Sequence, residues 1–352
     1  MSTLLSQGGF GCVYYPGITC SGKADKDKKY VTKLQKKDFN AYNEIYIGKI
    51  VKTIKNYEKF FIPIVNSCDI DLRRIDRKIV SECHVINTSG ELNYLLMTLN
   101  YVENKSLEDS IVLSTTMPVK KRCFAQLLSM YKYLLHSINL LLKNNIIHFD
   151  LKVQNLLFGI KIGTPLIIDF GISIPKDRVN KDNIKEYFYE FIPEYYVWPL
   201  EVHVIAYLLH NTTEPLTSSD VELIASKFCF SNEALIFFSQ KFHERYLSSC
   251  MYQLKKYIGV ERQKVISELY SFNHTWDNYS ISIMFIKIYK NIFKPGMYFN
   301  RMFIFFMELL VANISPDPTL RLSIEDSLTE YDKCFFIESN DENYKNLLKN
   351  LK

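Results

Sequence analysis

The chain has 352 residues, of which 47% are hydrophobic and 23% charged. These values are average for folded soluble proteins and exclude disordered, collagen-like and coiled-coil descriptions of the whole. Its 43 basic and 38 acidic side chains give a net charge of +5, and the basic residues are dispersed, so the balance permits nucleic-acid or acidic partners without predicting either. The length suits two lobes rather than one small module.

In chain order, the first signal is a concentration of glycine. Only 12 glycines occur in the chain, yet Gly8, Gly9 and Gly11 fall within four residues. Their flanks, Thr3-Leu4-Leu5 and Cys12-Val13-Tyr14-Tyr15, are β-prone, which predicts a hairpin with a glycine-rich turn. Such a turn lets backbone N–H groups approach phosphate oxygens without an intervening Cβ. Taken alone, it reads equally well as a plain hairpin.

A polar stretch from Ser21 to Lys29 reads as an exposed loop, followed by the short strand pattern Tyr30-Val31-Thr32-Lys33-Leu34. The spacing of Ile45, Ile47, Ile50, Val51 and Ile54 predicts a helix, with further strands expected around 62–66, 78–86 and 93–99. From Val119 to Lys143 the pattern turns to long helical periodicity. Helical character returns over about 202–275 and 277–350, with breaks at Pro215, Gly259, Pro295 and Pro316.

The eight cysteines (Cys12, Cys20, Cys68, Cys83, Cys123, Cys229, Cys250 and Cys334) show no C-x-x-C pair and no metal-like spacing, which predicts free thiols in a reducing compartment. The start of the chain has no basic stretch followed by an apolar run, and no window reaches 18 uncharged apolar residues. A cytoplasmic location, without membrane attachment, is the expectation.

The chemistry concentrates at Ile147-His148-Phe149-Asp150-Leu151-Lys152-Val153-Gln154-Asn155, an H-x-D-L-K-x-x-N run, followed fourteen residues after Asn155 by Asp169-Phe170-Gly171. A chance polar loop would have to supply four required residues at fixed offsets and then this triplet at the right distance. The pair of motifs resembles the catalytic loop and D-F-G element of eukaryotic-type protein kinases.

That resemblance implies an α+β, bilobal fold: a small β-rich lobe with one helix over 1–102, and a larger helical lobe over 103–352. It implies ATP and Mg²⁺, with a protein as substrate. Lys33 resembles the lysine that holds the α- and β-phosphates, although Lys36 and Lys37 stand close enough to be rival assignments. Glu44, the one acidic residue between Ala41 and Ile54, resembles its ion-pair partner. By the same likeness Leu5, Gly8, Gly9, Gly11 and Val13 would border the nucleotide, Asn100 to Val102 would offer backbone groups to adenine, and Leu99 would stand at the gatekeeper position. Asp150 would take the proton of the attacking hydroxyl, Lys152 would sit over the γ-phosphate, and Asn155 and Asp169 would hold Mg²⁺. Lys152, two residues after Asp150, resembles the serine/threonine-specific branch.

Later elements also correspond. Trp198-Pro199-Leu200-Glu201 stands where A-P-E is expected, Asp277-Asn278-Tyr279-Ser280 resembles the D-x-W-S helix start, and Asp317-Pro318-Thr319-Leu320-Arg321 resembles D-P-x-x-R. A buried Glu201–Arg321 salt bridge is therefore expected across 120 residues of sequence.

The departures are informative. Ser6 replaces the first loop glycine, and Phe149 replaces the arginine that usually precedes the catalytic aspartate and reads a phosphorylated activation segment. The distance from Glu201 to Asp277 is long, which predicts a helical insertion over about 202–276 that could serve as a substrate or partner platform. W-P-x-E, His203 and this insertion together resemble kinases encoded by large DNA viruses of eukaryotes. The competing reading is a pseudokinase that keeps the fold and binds nucleotide as a scaffold.

Overall fold

A computed structural model describes residues 2–87, 90, 93–105, 117–160, 163–211, 215–292 and 301–339. The chain is α+β and divides into two compact units, one formed by Met1–Ser106 with Asn155–Ser173 and the other by Leu107–Gln154 with Ile174–Lys352. The segment over 155–173 thus packs with the first unit, although it comes after the long helix in sequence.

The first unit is built on a five-stranded antiparallel sheet of β1 (Thr3–Gln7), β2 (Gly11–Tyr15), β3 (Tyr30–Lys36), β4 (Asn66–Asp71) and β5 (Asn93–Asn100), ordered β1-β2-β3-β5-β4. Gly8 N–H donates to the Gly11 carbonyl at 3.0 Å and closes the glycine turn between β1 and β2. Central strands β3 and β5 set the register that places Lys33 between Val13 and Met97.

Helix α1 (Phe39–Val51) starts at Asp38, whose carboxylate accepts from Ala41 N–H at 2.8 Å. Its buried face carries Ala41, Asn43, Glu44, Ile47, Gly48 and Val51, a helical spacing that brings two polar residues inward with the apolar ones. Gly48 permits close approach, because a Cβ there would meet the Ile64 carbonyl oxygen at 3.0 Å. Ala41 packs in one core with Ile62, Ile64, Leu95, Met97, Leu99 and Leu166, the last from the hairpin of Leu156–Gly159 and Pro165–Ile167.

Two expectations for this unit are corrected. In place of a strand at 78–86 the chain forms short helices, Arg77–Val80 and His84–Asn87. Asp76 caps the first of them, and Ile79, Val80 and Cys83 turn into the core beneath the sheet. The strand expected near 62–66 begins only at Asn66.

The cysteines are also corrected. Cys12 is bonded to Cys83 and Cys20 to Cys68, while Cys123, Cys229 and Cys250 remain thiols. The partners lie 71 and 48 residues apart, a separation that local spacing cannot reveal. Closing loops of these lengths removes denatured-state entropy equivalent to about 4 kcal/mol each in the chain-entropy picture. The Cys334 side chain and Pro295 lie outside the described set.

The second unit is helical, with Met117–Lys143 as its longest element. Leu127, Leu128, Tyr131, Leu134, Leu135 and Ile138 of that helix are buried. Around the stretch from Glu201 to Asp277 the chain forms the helices Leu200–His210, Ser218–Phe230, Gln240–Lys255 and Arg262–Tyr270. No helix among the described residues is long and apolar enough to cross a membrane.

Arg321 and Glu201 form the expected buried ion pair, with Nη1 to Oε1 at 2.5 Å and Nη2 to Oε2 at 2.9 Å. Trp276 Nε1 donates to the same carboxylate at 3.0 Å, and the guanidinium lies 5.1 Å from the Tyr279 ring centroid. Arg321 Nε also donates to the Ser315 carbonyl at 2.8 Å and Nη1 to the Thr275 hydroxyl at 3.3 Å, and a bidentate pair with such further partners is the form in which a buried charge is tolerated.

His203 is fully buried against the rings of Trp198 and Phe228. Burial pushes its imidazole from the ordinary 6.5 down to about 4. Between those two values the unfolded chain binds the proton and the folded chain does not, so stability falls as pH drops. We expect about 3 kcal/mol to be lost between pH 6.5 and pH 4 from this residue. Denaturant unfolding of wild type and His203→Phe at both pH values checks this; an equally steep acid loss in the variant would refute the assignment.

Candidate functional site

In the first unit, the glycine turn separates two uses of glycine. A Cβ on Gly11 would lie 2.7 Å from the Leu34 carbonyl oxygen, so that residue is bare because β3 passes close beside it. A Cβ on Gly8 or Gly9 would meet nothing within 4 Å, and neither residue has a positive φ. The fold itself does not require glycine at these two positions; the Gly8 N–H is taken by the Gly11 carbonyl, and no Cβ screens the backbone of Gly9. Leu5 is exposed on β1, and Val13, half-buried on β2, pairs in register with Lys33.

Lys33 is buried on β3, and its ammonium is shared by two carboxylates: Glu44 Oε2 at 2.8 Å and Asp169 Oδ1 at 3.0 Å. Of its rivals, Lys37 is engaged with Asp69 at 2.9 Å on the exposed side. Burial works against the Lys33 charge, but Glu44 and Asp169 outweigh it and hold the amine above its ordinary range. The Glu44 carboxyl is pushed up by burial and by the charge of Asp169, against the pull of Lys33. One cation thus faces two carboxylates. The Glu44 side chain is 2% exposed and that of Asp169 39%, so Asp169 is the more accessible of the two.

Asp169 takes a left-handed backbone (φ 64°), an unfavourable conformation for a non-glycine residue that costs about 1–3 kcal/mol. The segment just after it is anchored to α1, where Asn43 Nδ2 donates to the carbonyls of Gly171 at 3.1 Å and Ser173 at 2.7 Å. Asn155 is buried, and its carbonyl accepts from Ile168 N–H at 3.0 Å, so the two residues proposed for metal are tied to one hairpin. The donor set they offer, a carboxylate and an amide oxygen, is the hard-oxygen chemistry that suits Mg²⁺.

Leu99 lies in the core next to α1, and Asn100 is exposed at the end of β5. Val102 is half-buried, with its carbonyl accepting from Asn104 Nδ2 at 2.9 Å.

In the second unit, the start of the H-x-D-L-K-x-x-N run is fixed by its main chain. His148 N–H and Phe149 N–H donate to the two oxygens of buried Asp277 at 2.7 and 2.9 Å. Burial raises the Asp277 carboxyl, while His148 and the two N–H groups pull it down. Phe149 is left-handed (φ 70°) and fully buried; its ring stacks on Trp198 at 4.8 Å, and its carbonyl accepts from Trp198 Nε1 at 2.6 Å. Phe188 and Trp276 complete this aromatic cluster.

Asp150, next in sequence, carries Lys152 on Oδ2 at 2.9 Å and the hydroxyl of Tyr195 on Oδ1. Lys152 Nζ also donates to that hydroxyl at 3.1 Å. The phenol is held strongly in its protonated form by burial and by the Asp150 carboxylate. Tyr195 is the residue that the sequence does not single out. No spacing rule leads from it to an aspartate 45 residues earlier; the nearby Trp198, whose ring it meets edge-on at 5.0 Å, is the only local clue.

Residues 3–190 match the family model described as the protein kinase domain, which is more than half of the chain. The chain belongs to the protein kinase family, and phosphoryl transfer from ATP to protein is the activity that membership supports. A comparison with curated proteins finds no match. The matched region ends before Trp198, so the helices between Glu201 and Asp277 lie outside it.

Removing the Tyr195 hydroxyl takes a hydrogen bond from a charged pair, an effect of roughly 1.5–3 kcal/mol. Tyr195→Phe is expected to lower kcat for protein phosphorylation by about 10- to 100-fold while leaving the KM for ATP nearly unchanged. A variant with undiminished kcat would show that the hydroxyl plays no part in turnover.

Proposed function

We propose that this protein transfers the γ-phosphoryl group of ATP to serine and threonine hydroxyls of protein substrates. The observation that carries the reading is the retention of every charged part: Lys33 paired with Glu44 and Asp169 in one unit, and Asp150 paired with Lys152 in the other. The alternative of a nucleotide-binding pseudokinase scaffold has no such support, because the lysine and both aspartates are present and ionically engaged.

Phosphoryl transfer proceeds through a loose transition state whose charge is spread over oxygens, so positioning and neutralisation do most of the work. Lys33 would neutralise phosphate oxygens, with Glu44 keeping its ammonium aimed. The backbone at Gly9 would offer an N–H donor to the same group, the Gly8 N–H being held by the Gly11 carbonyl. Asn155 and Asp169 would hold Mg²⁺, which supplies further charge neutralisation when bound. Asp150 would orient the acceptor hydroxyl and receive its proton, and Lys152 would turn from Asp150 toward the transferring group. The placement of Lys152 two residues after Asp150 supports serine and threonine as acceptors.

The activation segment is proposed to need no phosphate. Where an arginine would wait for a phosphorylated residue, Phe149 is stacked on Trp198 and hydrogen-bonded to it through its carbonyl. Apolar packing thus takes the place of an ion pair. The helices over 202–276 are proposed as the docking surface for the protein substrate, supported by the strongly exposed aromatic side chains of Phe230 and Tyr252. Kinship with kinases of large DNA viruses rests on W-P-x-E, His203 and this same helical stretch.

Wild type and Asp150→Asn, incubated with Mg²⁺, labelled ATP and a panel of basic and acidic proteins, test the activity. Label on serine or threonine from wild type, reduced by about 100-fold or more in the variant, is expected. No label from wild type, with thermal stabilisation by ATP, would put the scaffold reading in its place. Phosphatase treatment of the purified protein is expected to leave the rate unchanged; abolished activity would overturn phosphate independence.

A further inference from the structure

The glycine hairpin is held from outside at both of its legs. On β2, Cys12 comes directly after Gly11 and is bonded to Cys83. On β1, Gln7 precedes Gly8 directly, and its Oε1 accepts from the backbone N–H of His84 at 3.2 Å. Gln7 and Cys12 are themselves register partners across the hairpin. Two consecutive residues, Cys83 and His84, therefore grip the last pair of the ladder before the turn, one leg by a covalent bond and the other by a hydrogen bond.

We propose that Cys12–Cys83 and Gln7 are positioning residues for nucleotide binding, a clamp that pre-orders the open Gly8-Gly9 backbone. The proposal rests on the reading that this hairpin holds phosphate. The physical reason is entropic. Beyond the Gly8–Gly11 hydrogen bond, neither Gly8 nor Gly9 is fixed by packing or by a required backbone angle, so without a clamp the turn would lose much of its freedom only on meeting the ligand, at the expense of affinity. Fixing both legs moves that loss of entropy into folding. The second disulfide, Cys20–Cys68, lies in the same unit but ties the loop after β2 to β4 and does not touch the turn. It is an internal control with a similar loop length.

Burial separates the two bonds. Cys12 and Cys83 are each 0% exposed, whereas Cys20 is exposed and Cys68 partly so. A thiolate must reach a sulfur to reduce it, so the clamp, once formed, resists reductant in the folded chain. Its formation consumes two thiols and one low-molecular-weight disulfide: Cys12 and Cys83 give up two protons and two electrons, forming one S–S bond, and the oxidant's S–S bond breaks to two thiols. The kinase is thereby licensed by oxidation during folding, not switched by reduction afterwards.

The experiment uses full-length oxidised protein, Cys83→Ala, Cys20→Ala and Gln7→Ala. Amide hydrogen exchange at residues 7–12 and the Kd for ADP with Mg²⁺ are read beside the thermal midpoint. The clamp predicts about tenfold faster exchange at the turn and about tenfold weaker nucleotide binding in Cys83→Ala, a smaller shift of the same kind in Gln7→Ala, and neither change in Cys20→Ala. Gln7 is exposed, so its variant reports even where Cys83→Ala does not fold. Equal effects in Cys83→Ala and Cys20→Ala, or unchanged exchange at the turn in Gln7→Ala and Cys83→Ala, would overturn the clamp. Oxidised wild type that fails to bind ADP would instead overturn the kinase reading, and the exchange data would still decide whether the hairpin is clamped. Under native conditions with a dithiol and an alkylating agent, label is expected on Cys20 and Cys68 before Cys12 and Cys83; labelling of all four at one rate would refute the licensing by burial.

Discussion

A lysine ammonium buried in a sheet cannot stand alone, and the first unit is arranged around that constraint. Desolvating a single charge costs several kcal/mol unless partners replace the lost water. Lys33 obtains two, Glu44 from α1 and Asp169 from the segment after the second hairpin. Each partner has to be delivered by a different part of the chain, which fixes the rotation of α1 and the path of residues 155–173 together. Asn43, adjacent to Glu44, makes the same junction with neutral hydrogen bonds to Gly171 and Ser173. Of the two carboxylates that share the ammonium, Asp169 is the more exposed, which is why the metal role is proposed for it and not for Glu44.

The second unit solves a similar problem with mixed means. Asp277 receives two backbone N–H groups and so holds the motif by its main chain, leaving the Asp150 side chain to other partners. Glu201 and Arg321 neutralise each other in a bidentate pair with Trp276 as an extra donor. At Phe149 charge is absent altogether, and stacking on Trp198, with edge contacts to Phe188, does the fixing. Aromatic packing of this kind does not depend on salt or on a modification, which is the physical difference from an arginine waiting for phosphate.

How much of this is legible in the sequence depends on how far apart the partners lie and whether a motif marks both ends. Lys33 with Glu44 is eleven residues of spacing on a strand followed by a helix, and it is legible through the resemblance to the kinase motifs, since strand and helix patterns alone leave Lys36 and Lys37 as rivals. Glu201 with Arg321 spans 120 residues and is legible because each end belongs to a recognisable run. Cys12 with Cys83 has no motif at either end, so spacing suggests free thiols instead. The strand expected at 78–86 fails for a related reason: a short apolar run fits a buried strand or a turn of helix equally well, and the Asp76 cap decides it. Tyr195 is invisible because the approach of its hydroxyl to Asp150 is a matter of three-dimensional position alone.

The glycines show how fold and function can be separated at single residues. Gly11 is explained entirely by its neighbour strand, for any side chain there would collide with the Leu34 carbonyl. Gly8 and Gly9 have no such explanation, since the space about them is open and their backbone angles suit other residues. Glycine at an unconstrained turn costs stability through the freedom it gives the unfolded chain. A fold that tethers both legs of the hairpin, at Gln7 and Cys12, and still leaves two glycines at its tip orders the legs while keeping the tip bare. Selection for packing accounts for Gly11 and for neither of the other two; the proposed approach of phosphate oxygens to the tip of the turn would account for both.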